Sequence, residues 1–243
     1  NFYIMVLMLT DRQKKILNLI VREYSKKGEP VGSKEFSQKF FSDLSPATIR
    51  REFFDLTKAG YLLQSHPSAG RVPTDKAYKL FVDEVLENEK KLTGESEHWQ
   101  KKMEMTRGGA KDLFSQSAKI IADFCGGLGV SYSFTGGFVY KFGLKNLFGQ
   151  LMNDVSSPEM KQIFTDIELM DERFEELFNI LVDDERSVFI GKDNPLIKSD
   201  SLSIISRHIP DGDSGVLLLI GPKNMHYDKN LAILEAVANL FDG

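Results

Sequence analysis

Ser45 to Gly60 reads SPATIRREFFDLTKAG, and the fold of the first third of this 243-residue chain turns on that stretch. Ser followed by Pro is a strong helix start. The Ser side chain accepts from an orphan backbone N–H, and Pro at the first helical position lacks only an N–H that has no helical partner. Gly60 supplies the stop. At about 100° per residue, Ile49, Phe53 and Leu56 share one side, while Arg51 and Lys58 lie nearly opposite, flanked by Ala47 and Thr48. The helix therefore has a core face and an outer face that is small and polar at its N-terminal end, then basic. Small residues let such a helix sink into the major groove, where Arg pairs with guanine or reaches phosphate. An ordinary amphipathic helix with a solvated basic face has the same pattern, so the flanking sequence decides.

Upstream, Thr10 and Gln13 form a capping box, and Ile16, Leu17, Ile20, Val21 and Tyr24 recur at helical spacing up to Lys26, Lys27 and Gly28. Glu29 to Gly32 reads as a turn, after which Ser33 is expected to cap a short helix through about Phe40. Downstream, Tyr61 to Ser65 is an extended run, Pro67, Ser68, Ala69 and Gly70 form a turn cluster, and Arg71, Val72 and Pro73 return as a second strand. Three helices and a hairpin are the order of a winged helix-turn-helix. Arg71, near the hairpin tip, is expected to lie along the DNA backbone or enter the minor groove. His66 is a candidate phosphate contact or a plain exposed loop histidine. Thr74 then caps a helix on which Tyr78, Phe81, Val82 and Val85 share a face.

Three runs stand here in fixed order: Glu29-Pro30-Val31-Gly32-Ser33-Lys34, Ser45-Pro46-Ala47-Thr48-Ile49-Arg50, and Ser68-Ala69-Gly70-Arg71-Val72-Pro73-Thr74-Asp75-Lys76. Together they resemble the bacterial heat-inducible transcription repressors of the HrcA family. The resemblance implies a dimeric, cytoplasmic repressor that binds an inverted-repeat operator in double-stranded DNA ahead of chaperone operons, with the chaperonin as the partner that keeps it active. The candidate DNA-contacting residues are then Ser33, Lys34, Ser45, Pro46, Ala47, Thr48, Arg50, Arg51, His66, Ser68, Gly70 and Arg71. Ser45 and Thr48, near the helix start, are expected to fix phosphate position. Two positions depart from the family pattern. Arg51 stands where Asn is usual, adding a cation to the outer face, and Pro67 stands where Thr is common.

Composition agrees with a folded protein: 42% hydrophobic and 27% charged residues. No run of about 18 apolar residues exists, so no transmembrane helix is expected, and the apolar start from Phe2 to Leu9 is interrupted by Asp11 and Arg12. The net charge of −4 hides an asymmetry: residues 1–85 hold more Lys and Arg than Asp and Glu, and the remainder is acidic. A basic segment on an acidic body suits a polyanionic partner for the first part. The single cysteine, Cys125, precludes an internal disulfide, and the four histidines show no zinc-ligand spacing.

The chain is expected to divide into a winged-helix DNA-binding domain at 8–88, a linker or connecting helix at 89–110 and a GAF-like α+β domain at 111–243. The connector is rich in Lys and Glu and reads as solvated, with Trp99 as an anchor. Lys111 to Asp123 reads as a helix packed on a sheet. Gly129–Phe134, Ser187–Gly191 and Ser214–Gly221 are strand candidates, with Gly136–Phe142 and Ser201–Arg207 weaker. Helices are expected from about Pro158 to Leu181, with a break near Asp171, and from Lys229 to Phe241. This mixture gives a central, mostly antiparallel sheet. Ser187 to Asn194 and Gly221 to Tyr227 continue the family resemblance in outline. It implies a GAF-like sensory fold carrying an inserted dimerisation domain, but here the chain runs from the strand near Ser131 straight to Gly143–Leu147. The GAF-like fold is therefore expected in abbreviated form. Dimerisation then falls to the helix around Tyr78, Phe81 and Val85 or to the C-terminal domain.

No cofactor, metal or catalytic residue is expected. Gly126-Gly127-Leu128-Gly129 lacks dinucleotide-loop spacing and does not open a helix. Asp183-Asp184-Glu185 reads as solvated charge, and Asp211-Gly212-Asp213 as a hairpin turn. Cys125 reads as a buried structural thiol, and no nucleophile elbow surrounds Ser214 to make a pair with His226. Two function classes remain: a repressor whose C-terminal domain serves assembly and regulation, and a small-molecule-responsive regulator with a ligand pocket in that domain.

Overall fold

The structure, a computed structural model, describes residues 9–64, 66, 69–102, 110–152, 154–174, 184–210 and 214–241. Ser65, Pro67, Ser68, Asp183 and Asp211–Asp213 lie outside the described residues, and so do the expectations placed on them. The chain forms two compact units, Asn1–Glu84 and Val85–Gly243.

The first unit holds α1 (Asp11–Lys27), α2 (Ser33–Phe40), α3 (Pro46–Lys58), the two-residue strands β1 (Leu62–Leu63) and β2 (Val72–Pro73), and most of α4 (Asp75–Glu87). Thr10 and Gln13 form the expected capping box, and Gly28 closes α1 at a left-handed φ of 69°. Ile16, Leu17, Ile20 and Val21 of α1 meet Ile49, Phe53 and Leu56 of α3 in a core with no more than 2% exposure at any of them. Phe36 of α2 joins it edge-on to Phe53, ring centroids 5.3 Å apart. Ser33 does not cap α2. Gly32 is the N-cap without a side-chain bond, and Ser33 is the first helical residue. Tyr78, Phe81 and Val82 of α4 are buried, while Val85, the third residue of the face expected to dimerise, is half-buried.

In the second unit five strands make one antiparallel sheet in the order β4-β3-β7-β6-β5: β3 (Leu128–Ser133), β4 (Phe138–Phe142), β5 (Arg186–Ile190), β6 (Leu202–Ile209) and β7 (Gly215–Pro222). All five strand candidates are present. One sheet face is covered by α6 (Ala110–Cys125) and α9 (Tyr227–Ala238), and α5 (Glu89–Gln100) packs on α9. The other is covered by α7 (Leu144–Leu151), α8 (Ser157–Glu168), residues 170–174 and the loop carrying Leu196 and Ile197. The long helix expected from Pro158 is interrupted at Leu169, and α7 is not among the helices that the sequence pattern predicts.

The connecting segment needs correction. Asn88 caps α5, whose Leu92 and Ser96 are buried and which packs along α9. Trp99 meets Phe124 edge-on at 5.8 Å. Residues 89–100 therefore belong to the second unit rather than to a solvated linker.

Candidate nucleic-acid interface

The amphipathic division of α3 sets the interface. Its N-terminus is fixed by Ser45, whose Oγ accepts from the Thr48 N–H at 3.1 Å and lies 2.9 Å from the Thr48 hydroxyl. Opposite the buried residues, Ser45, Pro46, Ala47, Arg50, Arg51 and Lys58 are exposed, and Thr48 is half-buried. The order along the surface is small, small, then cationic, as expected. Glu52 is the one charged residue of α3 turned inward. It pairs with Arg12 and accepts from Gln13 Nε2 at 3.2 Å, tying α3 to the start of α1. One exposed residue of this face was missed: Phe54, beside Lys58, whose Nζ lies 5.8 Å from the ring centroid. The helical angle would have found it.

The hairpin stands beside α3. Leu62 pairs with Pro73 and Leu63 with Val72. A third segment joins them at Val31, where the sequence pattern predicts only a turn. Val31 and Arg71 exchange backbone hydrogen bonds of 2.9 Å in both directions. The approach is so close that a Cβ on Gly70 would lie 2.6 Å from the Pro30 carbonyl carbon, so glycine is required there for space. Between α2, α3 and the hairpin lies a cleft of about 500 Å³ whose lining includes Ser33, Arg50, Phe54, Gln64 and Gly70. Lys34 and His66 are exposed and Ser33 is half-buried.

Arg71 is the clear correction. Its side chain turns into the protein and is only 9% exposed. Nε donates to Thr57 Oγ1 at 3.1 Å and Nη1 to the Ala69 carbonyl at 3.3 Å. Burial lowers its pKa from the ordinary arginine value. Side chains alternate along a strand, and Arg71 shares its face with the buried Pro73. It braces the hairpin against α3 rather than reaching outward.

The second unit offers architecture where the sequence offered tempting chemistry. Gly126 ends α6 at a φ of 75° and leads into β3, so the glycine run closes a helix and cannot present its N-terminus to a phosphate. Gly129 sits against α6 so closely that a Cβ would run into the Ala118 carbonyl oxygen. Glu185 pairs with Arg207, and among the described residues no group of three or more His, Cys, Asp or Glu is placed to hold a metal ion. Glu235 of α9 accepts from Arg186 at 2.8 Å and Arg207 at 3.0 Å. Burial alone would raise its pKa, but hydrogen bonds from the two arginines outweigh that and hold the carboxyl below its ordinary value. Cys125, expected to be buried, is half-buried; desolvation pushes its thiol up to about 12, against a smaller opposing effect of Lys229.

Comparison with known proteins bears on both units. The family model "Winged helix-turn-helix transcription repressor, HrcA DNA-binding" matches residues 8–87, and "HrcA protein C terminal domain" matches residues 89–231. The heat-inducible transcription repressor HrcA of Alkaliphilus metalliredigens is 40% identical over 116 residues, 48% of this chain and 34% of its own length. That of Lachnoclostridium phytofermentans is 50% identical over 82 residues, 34% of this chain and 24% of its own length. The chain thus spans about a third or less of these relatives. The HrcA of Thermodesulfovibrio yellowstonii is 26% identical over 337 positions, covering 95% of this chain and 96% of the relative. Roughly one hundred of those positions have no counterpart in the 243 residues here. A crystal structure of a hypothetical protein matches in fold with a TM-score of 0.74 at 20% identity, covering 96% of each chain. No helix among the described residues is long and apolar enough to cross a membrane. With consecutive matches over both units, the chain belongs to the HrcA family of heat-inducible transcription repressors, a DNA-binding winged helix followed by that family's C-terminal domain.

Proposed function

We propose that this chain represses chaperone operons in the cytoplasm by binding an inverted-repeat operator as a homodimer, with temperature and the chaperonin setting its activity. The observation that carries the reading is the outer face of α3, where Ala47, Arg50, Arg51 and Lys58 are exposed behind a helix N-terminus ordered by Ser45. Helix N-terminal N–H groups and cations favour phosphate, and arginine pairs with guanine in the major groove. Ser33, Lys34, Ser45, Thr48 and His66 take the phosphate backbone in this reading, while Arg50 and Arg51 reach base edges. Pro46, Ala47 and Gly70 allow close approach.

Dimerisation follows from discrimination. One winged helix reads only a few base pairs, and two copies on a twofold axis multiply the selectivity. The candidate contacts are the α4 face around Tyr78, Phe81 and Val85 and the second unit, both of which carry apolar residues. A metabolite-sensing role has less support. The sheet face carrying Leu128, Val130, Ile204 and Leu218 is filled by the chain's own Leu147, Ile163, Phe174 and Leu196.

Selection of bound sites from random duplex DNA tests the reading, with sedimentation of the complex. The expected result is a symmetric repeat bound by two copies, with Arg51→Ala losing roughly 1–3 kcal/mol of affinity at one guanine of each half-site. A monomer that binds a half-site as tightly as the full repeat overturns dimeric recognition. Recovery of no preferred sequence overturns the repressor reading itself.

A further inference from the structure

Phe54 is the residue of α3 that neither the core nor the cationic surface explains. It is 55% exposed, while its neighbour Phe53 takes the core position at 2%. Among the described residues of the first unit, only Phe54 and Leu63 are large hydrophobic side chains left in water to this degree. Phe54 follows Arg50 by four residues and Arg51 by three, which puts all three on one helical stripe. Lys58, one turn further on, stands against its ring. Folding gains little from an exposed ring, and burial against an apolar group elsewhere recovers the lost hydrophobic contribution.

We propose that Phe54 is a specificity-determining residue that contacts the 5-methyl group of a thymine in the major groove. The inference rests on the DNA-binding reading of α3. Arg50 and Arg51 are exposed on the same helix face as the ring, and Lys58 Nζ lies 5.8 Å from its centroid. A helix face with three exposed cations is complementary to the phosphate backbone of DNA. The thymine methyl is the apolar group that the major groove presents. The helix rises about 1.5 Å per residue, so Phe54 stands roughly 4.5 Å along the axis from Arg51. That exceeds one base-pair step of about 3.4 Å. The thymine therefore lies one or two base pairs from the base that faces Arg51.

The test uses the full chain and the site recovered by selection, with each thymine replaced in turn by deoxyuridine, which differs only in lacking the methyl. The wild-type protein should lose about fourfold in affinity per half-site at one symmetric position, and F54A should show no loss there. F54A should keep the thermal stability of the wild type, because the ring is mostly in solvent. Equal deoxyuridine penalties in the two proteins overturn the proposal. So does the absence of a penalty at any position in the wild type. A change of oligomeric state in F54A without altered base preference assigns the face to a protein contact and also overturns it. Failure of the wild type to prefer any duplex overturns the DNA reading itself, and is distinguished because it appears before any substitution is made.

Discussion

Replacing Arg71 by Ala separates a brace from a DNA contact. The substitution removes two hydrogen bonds from a buried guanidinium, one to Thr57 Oγ1 and one to the Ala69 carbonyl. Bonds to a charged group contribute about 1.5–3 kcal/mol each, but neither partner is orphaned by the change. The Thr57 hydroxyl still donates to the Phe53 carbonyl at 2.7 Å, and the Ala69 carbonyl still accepts from Gln64 Nε2 at 3.0 Å. The loss should therefore fall near the low end for two such bonds, about 3 kcal/mol for the first unit. In a domain of this size that lowers the melting temperature by roughly 12–24 °C. Trp99, the only tryptophan, lies in the second unit, so its fluorescence should report an unchanged second unit while hydrogen exchange reports a weakened hairpin. In DNA-binding titrations performed well below melting, the slope of log affinity against log salt should be unaltered. A phosphate contact predicts a slope shallower by about 0.9 for each phosphate lost. A shallower slope with unchanged stability refutes the bracing role.

Further outcomes follow from the second unit. Glu235→Gln should destabilise it by about 1–2 kcal/mol at neutral pH, because Arg186 and Arg207 lose one carboxylate but keep Glu185, as read by denaturant titration of Trp99 fluorescence. The Glu235 carboxyl titrates below its ordinary 4.5, so its contribution is whole above that pH and disappears as pH falls through the lower folded value. The stability gap between wild type and variant should therefore close on acidification, and a gap that persists or widens contradicts the pairing. Gly129→Ala should destabilise the second unit by more than about 3 kcal/mol, because backbone of α6 occupies the space; wild-type stability of that variant excludes the contact. Cys125 should react with iodoacetamide at pH 8 more slowly in the native protein than in denaturant, because desolvation raises its thiol pKa; equal rates show an open thiol.

What the sequence disclosed depended on whether the cause was local. Ser45-Pro46 and Gly60 mark α3 because caps act within one turn, and the core side of that helix is written in Ile49, Phe53 and Leu56. The five strands are visible as apolar runs between turn residues. Val31 gives no sign of its bridge, since one paired residue has no periodicity. The α5 segment looks solvated because its Lys and Glu outnumber the apolar residues, and only packing on α9 buries Leu92 and Ser96. At the candidate interface, residue types are readable and directions less so. Strand alternation could have turned Arg71 inward, and the helical angle could have turned Phe54 outward.

The pairing of β3 with β7 also imposes an order in time. The first unit is complete in its own residues, whereas β3 ends at Ser133 and its central partner β7 begins at Gly215. At roughly 5–20 residues per second, a ribosome needs on the order of 4–16 s to deliver the intervening segment. Throughout that interval Leu128, Val130 and Tyr132, all buried in the finished sheet, have no strand β7 to close over them. The amino-terminal unit is thus born early and the sheet late. Synthesis is when this chain is most open to misassociation, and β3 is where that opening lies.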